Sequence, residues 1–416
     1  MWLITLGMVG TLGNNAIAAV GLSVSGNELV LALVVGLIPA VQGLVARRRG
    51  EGSTERESLP PLNSGLLVAV VVGVPLTVIC YLLTPFFFSL MSFDPEVLGI
   101  GIPFLRTLFI TIVAAGMNYA FGGYWAGIQK PKVHMSIVLS IDSLNIVLNY
   151  VLIFGKFGAP ALGVMGAAVS AMTCVYLGVF VNAALMCFRF RANRGLPAKP
   201  ESSLLTSIVK LALPASLQSF LMEISYVVFF WMVGRLGTAE LAAGNVVIRI
   251  AMVFLFLSMS LGSASATLVS RCLGERDFTG AAQWGWDIGK LGVIGISLLG
   301  LPLVLFPKPF LSILISDPGT VSICLTPVRL VGVTAGMMSL LYIFGQTLFS
   351  VGDGTRVMMV SFCTRWMVFL PGVWLVGPYL HYGLVQIIAV QGISSLLATA
   401  LVTSFWAGGK WKTITI

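Results

Sequence analysis

Apolar residues run through this chain in long, nearly uninterrupted blocks. They cover residues 1–10, 16–46, 62–91, 98–127, 133–154 and 162–188, then 204–234, 241–273, 289–315, 321–351, 357–376 and 384–406. Every block after the first reaches the roughly 20 residues that a helix needs to cross about 30 Å of hydrocarbon. The pattern predicts an all-α polytopic membrane protein of about twelve transmembrane helices, the first of them partial. Pro39, Pro75, Pro103, Pro214 and Pro371 fall inside blocks, where they mark kinks that neighbouring helices can re-satisfy in a membrane. The opening block is about half as long as a crossing requires, so the first helix is expected to be incomplete: either the true start lies upstream of Met1, or the first lobe works without that part.

The blocks repeat. MVGTLGNNAIAAVGL at Met8 matches MVGRLGTAELAAGNV at Met232, and the same offset carries Arg47, Gly50 and Glu51 onto Arg271, Gly274 and Glu275 without a gap. A second match at nearly the same spacing pairs YAFGGYWAGIQKPKVHM at Tyr119 with YIFGQTLFSVGDGTRVM at Tyr342. Between the copies lies the polar stretch RFRANRGLPAKPESS, residues 189–203. We therefore divide the chain into an N-terminal six-helix lobe, residues 1–195, and a C-terminal six-helix lobe, residues 196–416. An even number of spans gives both lobes the same orientation, the parallel-repeat plan of transporters whose sites lie near the midplane between two bundles.

Composition supports lipid as the solvent: 57% of the 416 residues are hydrophobic and 9% are charged, against roughly 25% charged in a soluble domain. The net charge of +9 would suggest nucleic acid if it were clustered, but it follows topology. Arg47–Arg49, Arg56, Lys130, Lys132, Arg189, Arg191, Arg194, Lys199, Arg271, Arg276, Arg356, Lys410 and Lys412 fall in alternate connections. The positive-inside rule puts these connections and the C-terminus in the cytoplasm of a multi-pass plasma-membrane protein. The six cysteines lie in or at the edge of apolar runs with no CxxC spacing, and read as small packing residues.

Ionisable groups inside the spans are the candidate chemistry, because a charge at bilayer depth costs on the order of 2.5–3.5 kcal/mol on insertion scales. Glu223 stands alone in LPASLQSFLMEISYVVFFWMVG, with Ser219 and Tyr226 on its helical face. It is a candidate for binding a proton, Na⁺ or a cationic compound, or for a structural pair with an Arg. Asp142, Asn145 and Asn149 form one polar face of the fifth run. Glu28 and Arg249 either line a cavity or pair with each other. Arg106, Asp287, Arg329 and Arg365 are assigned to span ends, where long side chains snorkel. His134 and His381, the two histidines, lie by loops and are not expected to act as ligands.

The segments LPASLQSF, VGRLGTAELAAGNVV, LGSASATLVSRCLGE and LNIVLNYVLIFGKFGAPALGVMGAAVS together resemble the multidrug and toxic compound extrusion (MATE) family, in order and over essentially the whole chain. The resemblance implies two pseudo-symmetric six-helix lobes around a central cleft, and export of organic cations or other amphipathic compounds in exchange for H⁺ or Na⁺. In that family a Glu following a Pro in the seventh helix takes part in cation coupling, which Glu223 after Pro214 matches, with Na⁺ a possible occupant near it. Asn145 and Asn149 match a polar site in the first lobe. The family's first-helix Asp corresponds here to Thr5, for which Asp142 is a candidate substitute, and no acid occupies the tenth helix within AGMMSLLYIF, residues 335–344.

The alternative within the same superfamily is a flippase for lipid-linked oligosaccharides, which an Arg-rich cleft facing pyrophosphate would favour. An enzyme is not expected: HExxH, GxSxG and paired His or Cys sites are missing. The expectation is a monomeric carrier of small amphipathic or cationic substrates in the bacterial inner membrane, with no cofactor beyond the coupling ion, no resident metal and no nucleic-acid partner.

Overall fold

A computed structural model of the chain describes residues 2–91, 94–191, 202–314, 317–380 and 382–414. The expected lobe boundary, Arg194, Lys199 and His381 lie outside the described residues. In chain order the helices are α1 (Trp2–Gly10), α2 (Asn14–Leu31), α3 (Leu37–Gly50), α4 (Pro60–Met91), α5 (Pro95–Phe109), α6 (Ile112–Gly127), α7 (Pro131–Phe154), α8 (Val164–Arg191) and α9 (Ser202–Gly234). They continue with α10 (Thr238–Gly274), α11 (Phe278–Leu305), α12 (Pro307–Leu314), α13 (Pro318–Val351), α14 (Gly354–Phe362), α15 (Leu370–Trp374) and α16 (Leu384–Ala407). Two π-helical segments, Cys363–Phe369 and Leu375–Tyr379, flank α15. The described residues contain no strand.

Nine of these stretches are long and apolar enough to cross a bilayer, and α5 with α6 makes a tenth crossing bent by 43°. The expected second run is the pair α2 and α3, and the first is the nine-residue α1, which together give about twelve. The ninth run begins earlier than hydropathy alone predicts. It starts at Phe278, not Gly289, because Asp277 caps α11 by accepting from the Gly280 N–H at 2.8 Å. Asp287 and Lys290 then form an exposed ion pair at 3.3 Å within the helix, and a charged turn that hydropathy rejects can still be helical.

Contacts divide the chain into two compact units, Met1–Val45 with Ser53–Ser216, and Ala46–Gly52 with Leu217–Ile416. The duplication is visible in backbone geometry. Gly13 and Gly237, equivalent under the repeat, precede α2 and α10 with φ of 124° and 156°. Gly52 and Arg276 are both left-handed (89° and 61°), as are Gln129 and Gly352 (62° and 102°). Asp94 and Asp317 each cap a helix that opens with proline. The copies have diverged inside the spans. The pair α2 and α3 is broken at residues 32–36, whereas α10 is continuous. The pair α5 and α6 is interrupted and bent, whereas α13 is one continuous helix.

Two irregular stretches each bond to a neighbouring helix. At the α2–α3 break the Gly36 N–H donates to Ser216 Oγ at 3.1 Å, and a Cβ on Gly36 would lie 2.1 Å from the Ala212 carbonyl. Only glycine lets α3 approach α9 so closely. In the eleventh span Pro371 lacks an N–H and its ring would crowd the preceding turn, which the wider π turn relieves. Ser394 Oγ on α16 donates to the Thr364 carbonyl of that π segment at 2.8 Å. Pro75, Pro103 and Pro214 lie within continuous helices.

Within the second unit the ends of α3 and α10 meet reciprocally. A Cβ on Gly50 would lie 2.0 Å from the Arg271 carbonyl, and one on Gly274 would lie 2.0 Å from the Arg47 carbonyl. These are equivalent pairs under the repeat. The C-terminal tail covers the same end. Trp411 is fully buried, stacks on Trp406 with centroids 4.2 Å apart, and brings the Ile414 carbonyl to Arg47 Nη2 at 3.0 Å.

In the first unit Glu55, in the α3–α4 loop, accepts from Lys130 Nζ at 2.6 Å and from Arg189 Nε and Nη2 at 3.1 and 2.9 Å. Tyr124 Oη donates to the Glu55 carbonyl at 3.0 Å. The α3–α4 loop, the α6–α7 connection and the end of α8 are thereby tied at one carboxylate. All six cysteines are free thiols.

Two measurements follow. Gly50→Val forces a branched side chain into the Arg271 carbonyl and is expected to destabilise the folded protein by about 1–3 kcal/mol, as overpacking does. Gly295→Ala, with open space around its Cβ position, should unfold in detergent at the wild-type temperature. Burial of the Glu55 carboxyl works to raise its pKa, but the bonds from Lys130 and Arg189 prevail and hold it below the ordinary value. Its contribution to stability is therefore present above the unfolded pKa of about 4.3 and lost as pH falls through the lower folded value. Melting temperature should drop on acidification below about pH 4.3, and Glu55→Gln should be less stable at neutral pH and flatten that drop.

Candidate functional site

Two polar constellations lie at span depth, one in each unit. In the first unit α1, α7 and α8 meet in a buried hydrogen-bonded chain. Asn149 Nδ2 donates to Thr5 Oγ1 at 2.9 Å and to Asn145 Oδ1 at 3.0 Å. Asn145 Nδ2 donates to Ser170 Oγ at 3.1 Å, and Ser170 Oγ lies 3.2 Å from the Asn145 carbonyl, to which it donates. All four side chains are buried. The spacing of Asn145 and Asn149 by one helical turn puts both amides on the face that α7 turns toward α1 and α8. Asn149 Oδ1 is buried and accepts no hydrogen bond. Apolar packing by Val9, Val20, Ile153 and Ala167 surrounds this level of the unit.

The sequence pairing of Asn145 with Asn149 thus lands in one network, and Thr5 joins it. Asp142 is half-buried one turn earlier on α7, where Cys174 of α8 stands near both it and Asn145. Glu28 lies on an exposed part of α2 near Tyr119 and takes no part in these bonds. Ser170 is the member that the sequence reading missed. A serine within GAAVSAM carries no sign of its partner.

In the second unit the site is built on α9 and the π segment of the eleventh span. Glu223 is half-buried on α9, nine residues after Pro214. Tyr226 lines an apolar cavity of about 240 Å³ walled by α10, α13 and α16, and Gln218 and Met222 line a smaller one of about 100 Å³. Ser219 and Glu223 lie on the adjoining strip of α9 and line neither. Arg249 is exposed on α10 and also lines neither cavity of its unit.

Arg365 corrects the snorkelling assignment. It lies near the middle of the span Gly354–Tyr379, too far from either end for its side chain to reach water by extension. Its Nε donates to Ser225 Oγ on α9. Its guanidinium carbon lies 4.5 Å from the Tyr226 ring centroid and 5.1 Å from that of Phe369. Arg365 and Tyr342 line both cavities. Counting residues along the eleventh run would have found this: Arg365 has apolar sequence on both sides, between Cys363 and Pro371. Asp287 and Arg329, by contrast, are exposed, and Arg106 Nε reaches the Tyr81 carbonyl at 3.3 Å on the neighbouring α4. The described residues contain no group of three or more His, Cys, Asp or Glu able to hold a metal ion.

Comparison with known proteins covers the whole of this architecture. A family model described as MatE matches residues 1–151 and 214–375. The chain is 25% identical over 409 residues to a Thermotoga maritima protein named "Probable multidrug resistance protein NorM", covering 95% of this chain and 86% of that one. It is 25% identical over 417 residues to the multidrug resistance protein NorM of Burkholderia vietnamiensis, covering 96% and 87%. Among solved structures it superposes on the Vibrio cholerae MATE transporter VcmN in the bent form with a TM-score of 0.85 at 18% identity, over 98% of this chain and 91% of that one. It also superposes on a MOP superfamily transporter from Pyrococcus furiosus, with a TM-score of 0.87 at 18% identity, over 99% of this chain and 92% of that one.

The buried amide chain yields its own expectation. Asn149→Leu removes both donated bonds and leaves the Thr5 and Asn145 oxygens without them, which should cost about 1–3 kcal/mol. Thermal unfolding of the purified protein in detergent checks it, and an unchanged midpoint would show that the network contributes nothing to the fold.

Proposed function

The chain belongs to the multidrug and toxic compound extrusion (MATE) family of membrane transporters, and from that premise we propose that it is a secondary active antiporter exporting amphipathic or cationic compounds in exchange for H⁺ or Na⁺. It is a multi-pass carrier and not an enzyme. The observation that carries the coupling assignment is the position of Glu223, a carboxylate within the span of α9, beside the strip of that helix that lines the second unit's cavities. A carboxylate there can exchange a proton or hold Na⁺, and the change of charge biases α9 between two packed arrangements. The apolar cavity lined by Tyr226, Phe254 and Met338 suits a substrate with a hydrophobic body.

In the first unit the corresponding polar site is uncharged. Thr5, Asn145 and Asn149 hydrogen-bond one another, so in this reading they shape the lobe and Asp142 supplies its nearest carboxylate. The alternation of basic connections supports an inner-membrane orientation with the C-terminus in the cytoplasm, and we read the monomer as the working unit. No observation favours the oligosaccharide flippase over this reading.

Purified protein reconstituted in liposomes and given separate H⁺ and Na⁺ gradients tests the proposal. One of the two gradients is expected to drive efflux of a cationic dye, and Glu223→Gln is expected to reduce that gradient-driven flux by at least about tenfold while leaving the fold intact. Equal gradient dependence in wild type and Glu223→Gln would remove Glu223 from the coupling role. If neither gradient moves any dye, the antiporter reading fails.

A further inference from the structure

Val24, Glu28 and Leu31 share one stripe of α2, spaced i, i+4, i+7. Under the repeat offset they correspond to Ile248, Met252 and Leu255 of α10, which all line the apolar cavity of about 240 Å³ in the second unit. Tyr342 of α13 lines the same cavity, and its equivalent in the first unit is Tyr119 of α6. The first unit keeps this arrangement. Val24 and Leu31 pack inward against apolar clusters, and Tyr119 packs on the cluster that contains Val30 and Val34 of α2. Glu28 stands within electrostatic reach of Tyr119. The stripe that carries Glu28 is therefore turned toward the body of its unit, and its counterpart in the second unit faces a cavity.

Where the second copy has a methionine, the first has an acid. Glu28 lies well inside the apolar block of residues 16–46, where a charge costs on the order of 2.5–3.5 kcal/mol on insertion scales. Among the described residues its carboxylate takes part in no hydrogen bond or ion pair. Glu55, by contrast, is met by both Lys130 and Arg189. Glu28 is exposed, yet the protein around it desolvates it, which describes a group in a groove and not one on an outer face. An acid kept for structure at this depth needs a base or a donor from its own unit. This one has neither, so its charge is available to a cation that enters from outside.

From this geometry we propose that Glu28 is a specificity-determining residue of the first unit: its carboxylate binds the cationic nitrogen of an amphipathic substrate, with the Tyr119 ring as the second, aromatic contact. The inference deepens the exporter reading and rests on it only in calling the cation a substrate. It divides the labour, with substrate charge recognised at Glu28 and the coupling ion taken by Glu223. A carboxylate beside an aromatic ring selects an ammonium over a neutral group of similar size, because only the ammonium gains both the ionic and the cation–π attraction.

Isothermal calorimetry on the full chain in detergent, with trimethyl(4-phenylbutyl)ammonium and the uncharged N-(4-phenylbutyl)acetamide, tests it. The ammonium is expected to bind wild type about tenfold more tightly than the acetamide. Glu28→Gln should abolish that preference and Glu28→Asp should retain part of it. Tyr119→Leu should weaken ammonium binding by about threefold with the acetamide little changed, whereas Tyr119→Phe, which keeps the ring, should not. Equal binding of the two compounds to wild type, or an unchanged preference in Glu28→Gln, overturns the proposal. A preference lost in Glu223→Gln or Asp142→Asn but kept in Glu28→Gln assigns the cation to that other carboxylate and overturns it too. Should Glu28→Gln not fold, unchanged ammonium affinity in Tyr119→Leu overturns it equally. Equilibrium binding needs no gradient, so a failed efflux assay leaves this result standing, and a failed binding result leaves the role of Glu223 to its own test.

Discussion

Within hydrocarbon no water is available to a backbone N–H or C=O, so each of these groups must be bonded inside the protein. That constraint makes the chain helical, and it also dictates how the helices can deviate. Where α2 gives way to α3 the turn tightens to i→i+3 bonds, such as Leu37 N to the Val34 carbonyl at 3.2 Å, and the Gly36 N–H goes to Ser216. Where Pro371 withdraws a donor the ladder widens into a π segment, and Ser394 supplies a hydrogen to the Thr364 carbonyl. In both places a serine hydroxyl from a neighbouring helix bonds to the irregular backbone. Irregular backbone is thus placed where a second helix can serve it.

The duplication makes the two halves comparable position by position, and the deviations do not fall in the same places. Turns and caps are preserved: Gly13 with Gly237, Gly52 with Arg276, Gln129 with Gly352, and Asp94 with Asp317. These are ends of helices, where a left-handed residue or a capping carboxylate answers to local geometry alone. Span interiors answer to their neighbours and have diverged. The first half is broken in its second and fourth spans, and its polar site is a chain of neutral side chains. The second half keeps those spans continuous and moves its irregularity to the eleventh, where it carries an arginine. One ancestral plan has become two chemically different bundles.

Much of this was legible in the sequence. Block length gave the crossings, the shared offset gave the repeat, and the one-turn spacing of Asn145 and Asn149 gave their shared face. What could not be read was the partner across a helix interface. Ser170 lies in a run of small residues and Ser394 in an apolar stretch, where a serine that bonds across an interface looks like one that merely packs. The start of α11 was misplaced because hydropathy discounts the Asp287–Lys290 turn, although helix formation needs only satisfied backbone and a cap. Arg365 was misplaced for a different reason: snorkelling is the common fate of a membrane arginine, and only the depth of this one excludes it.

Energetics bear on why that arginine is there. A cation in the middle of a span costs on the order of 2.5–3.5 kcal/mol on insertion scales. Against this stand two aromatic contacts of about 0.5–2 kcal/mol each and one charged hydrogen bond of about 1.5–3 kcal/mol. The terms roughly cancel, so a neutral side chain of similar volume would leave the second unit about as stable. Tyr226, Phe369 and Ser225 therefore make the charge tolerable without making it useful to the fold.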